Sequence, residues 1–115
     1  MRSVDCEGWW EQNAYGVQPM DELRLEFSKG AITGTGVDII GPFRFLGVIE
    51  QGKVTMTKRY LGRHSVQYLG DYDGEGTMQG TWHIDPLTGR WAIRILPQGR
   101  TSSERVATLE QIKPI

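Results

Sequence analysis

From about residue 22 to residue 96 this chain alternates apolar and polar residues one for one: Leu23, Leu25 and Phe27, then Phe43 and Phe45, then Val54 and Met56, then Trp91, Ile93 and Ile95. A period of two puts successive side chains on opposite faces, so it predicts strands with one buried face. The 15 glycines are spread along the chain at intervals suited to turns and do not cluster in a linker. Many short strands follow. Helical spacing does not occur in that span; only Ser102–Gln111 allows a short helix, capped by Ser102 or Ser103, and Arg105–Leu109 also alternates like a strand.

Requiring every hairpin to keep its apolar positions on one face fixes a trial register. A two-residue loop at Gln51-Gly52 sets Phe43 opposite Tyr60, Phe45 opposite Lys58 and Gly47 opposite Met56. A three-residue loop, Gly62-Arg63-His64, then puts Tyr60 by Val66, Lys58 by Tyr68 and Met56 by Gly70. A three-residue loop, Asp73-Gly74-Glu75, puts Val66 by Trp82 and Tyr68 by Gly80, and a four-residue loop from Asp85 to Thr88 brings Trp82 opposite Trp91. Five strands thereby share one inner face.

On that face large and small residues interleave, as a narrow closed interior requires. With earlier strands near Glu7–Glu11, Leu23–Ser28 and Ala31–Val37 the count reaches about eight. The expectation is an all-β fold: an antiparallel up-and-down meander of about eight strands closed into a small barrel, one domain over residues 1–115. The same alternation also serves a two-sheet sandwich or an open half-barrel.

Charge narrows the partners. Thirteen Lys and Arg face 14 Asp and Glu, so no net field draws a phosphate backbone or an anionic bilayer, and neither nucleic acid nor membrane is expected. No stretch approaches the roughly 20 apolar residues of a membrane helix. Met1–Glu11 lacks the apolar run of a leader, and the single Cys6 cannot form an intramolecular disulfide, which together lead to a cytoplasmic expectation.

Gly8-Trp9-Trp10 resembles the glycine-x-tryptophan opening of the calycins, the small barrels that include lipocalins, fatty-acid-binding proteins and avidins. Lys29-Gly30-Ala31-Ile32-Thr33-Gly34-Thr35-Gly36 is similar to the avidin hairpin, and Gly80-Thr81-Trp82 to a pattern common in these barrels. The resemblance implies an avidin-like barrel. It does not imply biotin, because the serine, asparagine and tyrosine donors of the first avidin hairpins have no clear counterpart here. The arginine that closes over the first tryptophan in calycins would be Arg94, Arg100 or Arg105. The series Gly36-Val37-Asp38, Gly41-Pro42-Phe43, Lys58-Arg59-Tyr60 and Tyr68-Leu69-Gly70 is similar to an uncharacterised module and carries no activity with it.

Lys58 shares the inward parity of Val54, Met56 and Tyr60. An amine there must be solvated, paired or bound to something: it either snorkels to water at a barrel mouth past Phe45 and Tyr68 or contacts a ligand. Tyr60, Tyr68, Trp82 and Trp91 either wall a pocket or fill a core. Asp38, just before Gly41-Pro42, stabilises a turn through its side chain or serves as a functional carboxylate paired with Lys58. His64, on a predicted loop, and His83, on a predicted outer face, lack zinc-ligand spacing. Acidic neighbours disfavour a Cys6 thiolate. There is no nucleophile elbow, phosphate loop or metal-protease motif, and no cofactor is expected.

The leading expectation is a non-enzymatic module binding a small, partly polar ligand in the barrel at Lys58, Tyr60, Tyr68, Trp82, Trp91, Phe45 and Asp38. The alternatives are a filled barrel used for structure or protein interaction, including a homo-oligomer, and an enzyme with Lys58 or Asp38 as its acid–base group. An interior space on the order of 300 Å³ or more separates binding from a filled core.

Overall fold

The computed structural model describes residues 2–97, so the possible helix at 102–111, Arg100 and Arg105 lie outside the described residues. Eight antiparallel strands follow one another: β1 (Arg2–Gln12), β2 (Gly16–Ser28), β3 (Ala31–Val37), β4 (Pro42–Glu50), β5 (Lys53–Tyr60), β6 (Ser65–Tyr72), β7 (Thr77–Ile84) and β8 (Leu87–Ile95). Each pairs with the next, and β8 returns to β1 from Cys6↔Ile95 to Trp10↔Trp91, closing the barrel. Closure leaves no edge strand with unpaired backbone groups. The sandwich and half-barrel are thereby excluded.

The alternating residues point where their parity places them. Leu25, Ile32, Phe43, Phe45, Val54, Met56, Tyr68, Met78, Trp91 and Ile93 are buried in one core inside the barrel. The β4–β5 hairpin has the expected register, Phe43↔Tyr60, Phe45↔Lys58 and Gly47↔Met56. Its turn is Gln51-Gly52, both at positive φ (52° and 79°), which matches the twist of the flanking strands.

The next three hairpins keep the expected faces but are displaced by two residues. After β5 the last pair is Arg59↔Ser65, because Leu61 N–H donates to Pro42 O of β4 and so does not extend the hairpin; Lys58 stands opposite Val66 and Met56 opposite Tyr68. After β6 the Asp73 carboxylate accepts from Glu75 and Thr77 N–H, lengthening the loop so that Tyr72 pairs with Met78, Tyr68 with Trp82 and Gly70 with Gly80. After β7 the turn has only Asp85-Pro86, joined by a cis peptide, so Trp82 faces Gly89 and Trp91 faces Gly80. Trp82 and Trp91 are therefore buried on the same face without being opposite one another.

Two glycines make room for Trp91, the more deeply buried of the two tryptophans. A Cβ on Gly70 would stand 2.9 Å from the Trp91 ring, and one on Gly80 would meet the Leu69 carbonyl. The indole crosses at this gap and donates to Leu69 O (3.2 Å) and Thr81 O (3.1 Å). Arg94 lies opposite Glu7, 3.8 Å from its carboxylate, and lines a surface pocket together with Trp9.

Candidate functional site

In an up-and-down meander alternate loops gather at the same end. One end collects the β1–β2, β3–β4, β5–β6 and β7–β8 connections, and the β3–β4 connection turns Asp38 inward. Asp38 N–H donates to Gly41 O (3.1 Å) and its Oδ1 accepts from Ile40 N–H (2.9 Å), the turn role expected of it. Its other oxygen is free to face the barrel. There Oδ2 accepts from Lys58 Nζ (2.6 Å), the Tyr60 hydroxyl (2.7 Å) and Trp10 Nε1 (3.1 Å).

Lys58 is satisfied in the same way. Its side chain, like that of Asp38, has no exposed surface, so the amine does not snorkel. Besides Asp38 it donates to the Tyr68 hydroxyl (3.2 Å), and it lies 4.2 Å from the Phe43 ring centroid, with Tyr60, Tyr68 and Trp10 at 4.9, 5.3 and 5.6 Å. Carboxylate, hydroxyl and ring faces together offset what burying an ion pair costs. Burial pushes the amine down to about 8, and Asp38 recovers part of that loss. Burial, then the bond to Asp38, raises the Tyr60 hydroxyl; burial and the Asp38 charge raise Tyr68. At neutral pH both phenols keep their protons.

Above this network a cleft of about 330 Å³ opens between the loops. Tyr60 and Tyr68 line it, and Trp10, Val66 and Trp82 stand around it, with Gln12, Tyr15, Ile40, His64, Ile84 and Leu87 contributed by the ends of the four connections. Trp10 meets Tyr15 and Trp82 edge to face, at 5.8 and 6.3 Å between centroids. Trp82 is held by its Nε1 donating to Glu11 O (3.0 Å), and His64 leans on Tyr60 at 5.1 Å.

The structure thus separates the seven residues singled out from sequence. Tyr60, Tyr68 and Trp82 line the cleft; Lys58 and Asp38 lie beneath the two tyrosines and do not reach its surface; Phe45 and Trp91 belong to the core. Parity did not identify Tyr15, Ile40 and His64, because parity says nothing about loops, nor Leu87, which opens β8 where a four-residue turn was expected. The signal for them was the meander itself, which brings every second connection to the end where Asp38 turns in.

No protein family, curated protein or solved structure matches this chain. The eight-stranded closed antiparallel barrel is consistent with a calycin-like barrel at the level of fold. No helix among the described residues is long and apolar enough to cross a membrane.

Proposed function

We propose that this barrel is a non-enzymatic binding module that takes a small, partly polar molecule into the cleft at its mouth. The observation that carries the reading is the cleft of about 330 Å³ lined by Tyr60 and Tyr68, whose hydroxyls are held in place by a buried Asp38–Lys58 pair. Apolar walls with a few fixed polar groups at the base are the usual make-up of a small-molecule site. Lys58 and Asp38 act by orienting the two phenols; neither is placed to exchange a proton with a ligand. The avidin-like kinship belongs to the same proposal and rests on the Gly8-Trp9-Trp10 and Gly30–Gly36 segments. A cytoplasmic location rests on the single cysteine, Cys6.

A thermal-shift screen against a metabolite library tests the reading, since a ligand of the native state alone raises its stability. A hit should raise the melting temperature of wild type and lose about tenfold or more in affinity in Val66→Phe, which narrows the cleft from its wall. A hit that binds Val66→Phe as it binds wild type would remove the cleft from the account.

A second reading is favoured by one observation on the outer face. Leu46 and Val48 on β4 and Leu69 on β6 are 66%, 47% and 40% exposed, with Val48 and Leu69 on either side of Thr55 of the intervening β5. Such a patch suits contact with another protein surface or a second copy. Sedimentation of wild type against Leu46→Glu checks it: a dimer lost in the variant would support it, and a monomer in both would not.

A further inference from the structure

The polar floor of the mouth cleft can be read for charge and for hydrogen-bond direction. Charge comes first. Lys58 and Asp38 are in contact at 2.6 Å with no exposed side-chain surface, so the ammonium and the carboxylate neutralise one another beneath the cleft. A ligand above them meets no net charge, and an ionised group brought there would lose water without gaining a counter-ion.

Direction follows from which atoms are already used. The Tyr60 hydroxyl spends its proton on Asp38 Oδ2. The Tyr68 oxygen accepts from Lys58 Nζ, and no group among the described residues accepts the Tyr68 proton, although the residue is only 2% exposed and lines the cleft. A buried donor without an acceptor is costly, so this O–H is the group a ligand can satisfy. The walls, Trp10, Tyr15 and Trp82, are rings that favour a flat unsaturated skeleton.

We infer that the ligand of the mouth cleft is an uncharged, flat, largely apolar molecule bearing one hydrogen-bond acceptor, such as a carbonyl, at the end that meets Tyr68. The inference rests on the reading of the cleft as a ligand site and narrows it: carboxylates, phosphates and amines are excluded, and a conjugated ketone, aldehyde, lactone or neutral heterocycle is selected.

Three probes of one size separate the terms: 2-acetylnaphthalene, which is neutral with an acceptor; 2-ethylnaphthalene, which is neutral without one; and 2-naphthoate, which is charged. Calorimetric titration of wild type should rank them in that order, the ketone about fivefold or more tighter than the hydrocarbon, as one hydrogen bond allows. Tyr68→Phe should bring the ketone and the hydrocarbon to equal affinity. Asp38→Asn removes the carboxylate that holds the Lys58 amine up, so the buried amine gives up its proton and 2-naphthoate should stay the weakest probe. If 2-naphthoate is the tightest probe of wild type, or if Tyr68→Phe retains the preference for the ketone, the inference is overturned while the cleft remains a ligand site. If none of the three binds the folded wild type, the reading of the cleft fails and this inference with it. Should either variant not fold, the wild-type ranking decides alone.

Discussion

Lys58 Nζ lies 2.6 Å from Asp38 Oδ2, joining the middle of β5 to the loop between β3 and β4 where neither side chain meets solvent. The two partners are not equivalent. Asp38 also accepts from Ile40 N–H, Trp10 and Tyr60, whereas Lys58 has Asp38 and one phenol oxygen. Asp38→Ala leaves the buried Lys58 amine without its carboxylate and three further donors without an acceptor, and should cost about 3–5 kcal/mol in urea denaturation. Lys58→Met leaves the carboxylate three donors and should cost less, and the double substitution Asp38→Asn with Lys58→Met should come back towards wild type. A larger loss for Lys58→Met than for Asp38→Ala would mean that the ammonium, not the carboxylate, organises the floor.

The same pair gives a signature at alkaline pH. The Lys58 amine is held at about 8 in the folded protein against an ordinary value of 10.5, so between these values the unfolded chain binds more protons there. Stability then rises with pH, and the burial cost present below pH 8 is relieved progressively up to about pH 10.5, by about 1 kcal/mol per pH unit within the window. Tyr60 and Tyr68 act in the opposite sense: raised in the fold, they stay protonated above pH 10 where the unfolded chain ionises, and stability falls there. Denaturation of wild type and Lys58→Met at pH 7, 8, 9 and 10 isolates the lysine contribution. Parallel curves would show that burial does not shift this amine.

Trp91 and the glycines beneath it set the other half of the interior. Trp91→Ala should cost about 3–5 kcal/mol, the range for a large buried aromatic. Gly80→Ala should cost about 1–3 kcal/mol by driving a methyl into the Leu69 carbonyl and forcing β6 and β7 apart. Melting curves check both, and an unchanged melting temperature for Trp91→Ala would contradict the assigned inner face.

Faces were legible in the sequence and registers were not. A period of two assigns each side chain to inside or outside whatever the loop lengths, which is why Lys58, Tyr60, Tyr68, Trp82 and Trp91 all point inward as expected. Sliding a hairpin by two residues preserves every face, so alternation cannot detect it. The slides come from local chemistry: the Asp73 carboxylate capturing Glu75 and Thr77 N–H, and Leu61 N–H bonding back to β4. The site was half legible for the same reason. Residues on strands were found, Asp38 was recognised both as a turn former and as a partner for Lys58, and the loop residues around the mouth required the closed barrel to bring them together.

Where a ligand sits is read most directly from the four indole N–H signals of the labelled protein, one each from Trp9, Trp10, Trp82 and Trp91. Trp10 and Trp82 line the mouth cleft; Trp9 does not, and Trp91 is buried in the core. On titration with 2-acetylnaphthalene or with a metabolite that raises the melting temperature, the Trp10 and Trp82 signals should move together and saturate with the same Kd, while Trp9 stays in place. Saturating shifts at Trp9 with Trp10 and Trp82 unmoved would place the ligand elsewhere and contradict the account of the cleft.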